Sequence, residues 1–153
     1  MHFRLIDSVL ERGPDRAVAI KNVTAAEEYL GDHFPGFPVL PGVFMVEAMV
    51  QAAREVLTVR GQPRFVLGGV KALRYGSFVR PGESLRVEVQ VDKVLEDGSV
   101  SFRGQGQVLR PGQDGPPDTA VSGRFTMRPL RSEPEGPTSA SPVSTMAASA
   151  KVP

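Results

Sequence analysis

Residues His33–Thr58, HFPGFPVLPGVFMVEAMVQAAREVLT, join a proline-stiffened loop to a segment with apolar side chains on every face of a helix. Pro35, Pro38 and Pro41 fix φ at three points and push the residues before them toward extended backbone. Gly36 and Gly42 allow shapes and close approaches that a Cβ would block. Such a loop holds His33 stiffly, which suits a base that must meet a proton at hydrogen-bond distance. From Val43 to Thr58 the apolar residues surround the helical wheel, the pattern of a buried helix. The polar exceptions Glu47, Gln51, Arg54, Glu55 and Thr58 share one stripe. Arg54, Glu55 and Thr58 lie toward the C-terminal end, where the stripe reaches water. Glu47 lies in the second turn and is expected deep in the apolar part, where a carboxyl is partly protonated, partnered or catalytic. Gln51, one turn on, is the expected partner.

The segments around this helix read as strands. Phe3–Glu11 and Arg16–Thr24 are β-like and are joined by the turn residues Arg12-Gly13-Pro14-Asp15. Ala25–Gly31 reads as one short helical turn, and Gly61-Gln62-Pro63 ends the long helix. Arg64–Tyr75 is strand-like. Leu85, Val87, Val89 and Val91 alternate with Arg86, Glu88, Gln90 and Asp92 as in a half-buried strand. Glu96-Asp97-Gly98-Ser99 signals a hairpin leading into Val100–Leu109. A Gly/Pro-rich loop over Pro111–Pro117 precedes a last strand that places Val121, Gly123, Phe125 and Met127 on one face. One helix needing cover on all sides and several one-sided strands predict an α+β fold. Its antiparallel sheet of about six strands wraps around one long central helix.

Composition narrows the class without naming a chemistry. The chain has 153 residues and a formal net charge of +1, which offers no argument for nucleic acid or an anionic surface. Zero cysteines excludes disulfides, thiolate metal ligation and a cysteine nucleophile. No apolar run of about 18 residues and no signal-peptide pattern is present, so membrane insertion is not expected and a cytoplasmic location is. Residues 131–153 hold four prolines, five serines and no aromatic residue. They are expected to form a disordered tail after a folded domain over residues 1–130.

The run His33–Gln51 resembles the active-site signature of the (3R)-hydroxyacyl-(acyl carrier protein) dehydratases of type II fatty acid synthesis. That family's catalytic pair is a His and a Glu fourteen positions apart, the spacing of His33 and Glu47. A related dehydratase/isomerase branch carries Asp at the second position, so Glu47 favours the plain dehydratase. The resemblance extends more weakly over Phe3–Met127, including Arg80-Pro81-Gly82-Glu83-Ser84-Leu85 at a Pro-Gly turn. Phe37 stands where a second His is frequent, and Gly76-Ser77-Phe78 replaces a more basic stretch. The resemblance implies the hot-dog fold, a hydro-lyase activity, no cofactor and no metal. It also implies an acyl carrier protein bearing a 3-hydroxyacyl chain as partner. A homodimer follows too, up to a trimer of dimers, with His and Glu of each site drawn from different subunits.

The chemistry calls for these residue types. Removing a Cα proton suits an imidazole, which changes charge near neutral pH, and His33 qualifies. A carboxyl kept protonated by an apolar surround could donate to the departing hydroxyl or hold the departing water, the expected task of Glu47. The amides of Gly42 and Val43 at the helix start are placed to polarise the thioester carbonyl. Tyr75 matches a position that gates the acyl tunnel in the family, with Phe34 and Phe37 as further tunnel residues. Arg54, Arg60, Arg64, Arg74 and Arg80 read as solvated charge, with an acidic carrier protein as the other reading. Two other classes stay open: a hot-dog acyl thioesterase and a non-catalytic acyl-binding subunit. Neither needs both His33 and Glu47.

Overall fold

The structure, a computed structural model, describes residues 3–131. Strands β1 (Ser8–Arg12) and β2 (Arg16–Asn22) come first, followed by a 3-10 turn over Glu28–Leu30. Helix α1 (Gly42–Val59) precedes β3 (Phe65–Tyr75), β4 (Ser84–Val94), β5 (Val100–Leu109) and β6 (Asp118–Pro129). All neighbouring strands run antiparallel in one six-stranded sheet of order β1-β2-β4-β5-β6-β3. The sheet curls around α1, which touches all six strands. This is the wrapped arrangement that the helical wheel and the alternating strands predict.

The helix can sit against the sheet because its inward positions are small or flexible. Ala48, Met49, Val50, Ala52, Ala53, Val56 and Leu57 are completely buried. They meet the inward residues Leu85, Val87 and Val89 of β4, Phe102 of β5, and Phe125 and Met127 of β6. Phe102 and Phe125 stack with centroids 5.5 Å apart. Gly104 of β5 makes room beneath the helix, since a Cβ there would stand 2.5 Å from Met49 Sδ and 3.0 Å from Phe125 Cε1. The hairpin after β4 turns where the sequence places it, with Gly98 at φ 80° and Leu95 N–H donating to Ser99 O.

Three expectations are corrected. The first strand starts at Ser8 rather than Phe3. The backbone groups of residues 3 and 5 are taken instead by the Gln51 side chain, which accepts from Leu5 N–H and donates to Phe3 O. The helix is apolar all round but not covered all round: Val43 is 67% exposed at its first turn and Val59 45% at its last. Glu47 is not deep in the apolar part; its side chain is 37% exposed and ion-paired with Arg54. An all-apolar wheel does not show which stripe turns away from the sheet. The expected tail and its boundary at residue 130 lie, from residue 132 on, outside the described residues.

Candidate active site

His33 is placed by a loop whose local bonds follow from its prolines and glycines. Phe34 and Phe37 exchange backbone hydrogen bonds around a tight turn, with Gly36 at φ 78°, a value that L side chains rarely adopt. Val39 N–H donates to His33 O, and Leu40 N–H donates to Val79 O at the far side of the loop. Val39 and Leu40 are buried and anchor the loop to the core. The imidazole is fixed in turn, because its Nδ1 lies 3.1 Å from Val39 O. A carbonyl only accepts, so Nδ1 is the donor here, and in the neutral ring Nε2 is left as the acceptor. The Phe34 ring stacks on the imidazole at 4.3 Å between centroids.

His33 lines a mostly apolar cleft of about 470 Å³ together with Phe34, Gly42, Val43, Tyr75 and Phe78. The cleft sits at the start of α1, where Pro41 O accepts from Phe44 and Met45 N–H. The amides of Gly42 and Val43 have no helical carbonyl one turn back to bond, and the helix dipole is positive at this end. The Tyr75 ring lies against Gly42: a Cβ there would meet its Cε1 at 2.6 Å. Tyr75 and Phe78 are both more than half exposed at the cleft mouth. Phe37 does not line this cleft. It packs edge-on against Phe78 and carries the Arg80 guanidinium 4.5 Å above its ring.

Glu47 lies elsewhere in the chain. It lines a larger, more polar cleft of about 810 Å³ with Phe3, Ile6, Arg12, Gln51 and Arg54. Within one chain the structure therefore brings His33 together with Gly42, Val43, Tyr75 and Phe34, but not with Glu47. Gln51 is the partner the sequence predicts, donating from Nε2 to Glu47 Oε1 at 3.2 Å. Arg54, expected from its residue type as solvated charge, is a second partner: its Nη1 also lies 3.2 Å from Glu47 Oε1. The signal for it was present, because Arg54 follows Glu47 by seven positions on the same stripe. Of the other arginines, Arg60 pairs with Asp15 and bonds the Pro14 carbonyl, tying the helix end to the β1–β2 turn.

A curled antiparallel sheet around one buried helix defines the hot-dog fold. The chain belongs to the ApeI-like family, whose model, described as ApeI dehydratase, matches residues 10–112. Among curated proteins it is similar to the 3-hydroxyacyl-(acyl-carrier-protein) dehydratase FabZ of Bacillus pumilus, at 42% identity over 60% of this chain and 67% of that one. The FabZ of Ligilactobacillus salivarius is 44% identical over 59% of this chain and 67% of that one. Among solved structures it resembles the dehydratase heterocomplex ApeI:P of Xenorhabdus doucetiae, with TM-score 0.59 and 17% identity over 83% of this chain and 99% of that one. It also resembles the Escherichia coli PaaI protein, with TM-score 0.60 and 13% identity over 78% and 80% of the two chains. At such identities the structural matches speak for the fold. No helix among the described residues is long and apolar enough to cross a membrane.

Proposed function

We propose that this protein dehydrates a (3R)-hydroxyacyl thioester on acyl carrier protein to the trans-2-enoyl thioester, in fatty acid or related specialised lipid or polyketide synthesis. The observation that carries the reading is His33, held through Nδ1 and lining an apolar cleft at the start of a buried helix. The similarity to proteins named as 3-hydroxyacyl-(acyl-carrier-protein) dehydratases supports it. In this reading the acyl chain enters the cleft past Tyr75 and Phe34. His33 Nε2 takes the Cα proton, while the Gly42 and Val43 amides receive the charge that develops on the thioester oxygen. Glu47 engages the departing 3-hydroxyl.

Because His33 and Glu47 line separate clefts of one chain, we place Glu47 of a second copy against His33 of the first. Two features support a paired assembly. The exposed apolar side chains Phe34, Val43, Tyr75 and Phe78 surround the His33 cleft, and β3 is an edge strand of the sheet among the described residues. Incubation with a 3-hydroxyacyl carrier protein tests the reaction. The enoyl product supports it, and release of free thiol without enoyl product would instead establish the thioesterase reading.

A further inference from the structure

This inference rests on the dehydratase reading and concerns the carboxylate side of the site. Arg54 Nη1 and Gln51 Nε2 both donate to one oxygen of Glu47, Oε1, each at 3.2 Å. The amide of Gln51 cannot rotate freely. Its Oε1 accepts from Leu5 N–H at 2.9 Å and its Nε2 also donates to Phe3 O at 3.0 Å, so the donor face is turned to Glu47 by the N-terminal segment. Arg54 has no other carboxylate within ion-pair distance among the described residues, and Arg12, nearby in the same cleft, is engaged by Glu55.

We propose that Arg54 is a positioning residue: with Gln51 it anchors Glu47 as a carboxylate through Oε1 and so presents Oε2 to the substrate's 3-hydroxyl. A carboxylate held this way accepts a hydrogen bond, whereas a proton placed on it would forfeit the ion pair with Arg54. The proton balance then runs through His33 alone. Its Nε2 takes the Cα proton, and the Gly42 and Val43 amides receive the enolate charge. As the enolate collapses to Cα=Cβ and the Cβ–O bond breaks, the imidazolium returns that proton to the leaving oxygen, which is held by Glu47 Oε2 and departs as water. Both side chains end as they began, with no second proton donor. In one chain the pair is open to solvent, with side-chain exposures of 42% and 37%. An exposed pair adds little to stability, so its value lies in orienting Glu47.

The test measures turnover of 3-hydroxyacyl carrier protein by Arg54→Met, Arg54→Lys, Glu47→Gln and the double variant Arg54→Met/Glu47→Gln. Arg54→Met is expected to lower kcat by about tenfold or more with KM within about twofold. Arg54→Lys should recover most of that loss, and Arg54→Met should cost nothing further once Glu47 is Gln. Unchanged kcat, a multiplicative loss in the double variant, or a change confined to KM would each overturn the proposal, the last by making Arg54 a carrier-docking residue. Arg54→Gln repeats the measurement should Arg54→Met fail to fold. Wild-type protein without enoyl product removes the proposed reaction and this inference with it; turnover indifferent to Arg54 removes only the inference.

Discussion

His33 and Glu47 carry the proposed chemistry, yet neither holds the core together. His33 is half-buried on a loop, and Glu47 stands on the one polar stripe of the helix. His33→Ala and Glu47→Gln are each expected to cut turnover by on the order of 10²–10⁴-fold, the usual contribution of a positioned acid or base. Their urea midpoints should stay close to wild type. An active, well-folded His33→Ala protein would sink the mechanism. Tyr29 offers a separate test of stability. Its hydroxyl is buried without a hydrogen-bond partner among the described residues, while its ring packs edge-on against Phe44 at 4.7 Å. Burial first, and then the Glu27 carboxylate, which lies near the hydroxyl without closing a hydrogen bond of ordinary geometry, push the phenol above its ordinary range. With the value raised in the folded state, the fold holds this proton more tightly than the unfolded chain does, so stability does not depend on Tyr29 ionisation below about pH 10 and falls as pH rises beyond it. Tyr29→Phe keeps the ring contact and is expected to gain about 1 kcal/mol at neutral pH by removing an unsatisfied buried group. Its stability should also fall less steeply than wild type between about pH 10 and 12. Denaturation followed across that range checks both signs.

Among the elements, the sheet shows most clearly where local reasoning stops. The strands themselves are legible, because Leu85, Val87 and Val89 alternate with polar residues and sit fully buried in β4. Their neighbours are not: β3 follows α1 in sequence yet pairs with β6 at the far edge of the sheet. That pairing sets Lys71 opposite Arg124, and β5 sets Arg103 opposite the same Arg124. Three cations thus cross the outer face in one row, of which Arg103 has a carboxylate partner, Asp92. Like charges directly opposite destabilise a sheet, so Arg124→Glu, flanked by two cations, is expected to stabilise the fold by about 0.5 kcal/mol. Thermal unfolding of that variant at low and high salt measures it, and the gain should shrink with salt. The first strand teaches a related lesson. Its apolar pattern begins at Phe3, but the Gln51 amide captures the backbone of residues 3 and 5 and ladder pairing begins later.

For the whole molecule, the separation of His33 and Glu47 into two clefts matters most. If each site is built from two chains, inactive His33→Ala and Glu47→Gln proteins should regain activity on mixing, since a mixed dimer carries one intact site. Random exchange of a two-fold dimer gives about a quarter of wild-type turnover. No recovery after verified subunit exchange would place both groups of a site on one chain. By itself the sequence determined the central helix, the strands, the stiff histidine loop and the Glu47–Gln51 neighbourhood. All of these follow from periodicity, proline and glycine chemistry and spacing along a single element, which are short-range. Only the tertiary structure decided that β3 closes the sheet beside β6, that the stripe bearing Glu47 turns away from the sheet, and that Arg54 engages the carboxylate. It also decided that the clefts of His33 and Glu47 open apart. Strand order and the outward stripe depend on contacts between residues distant in sequence, which one element's apolar pattern does not encode.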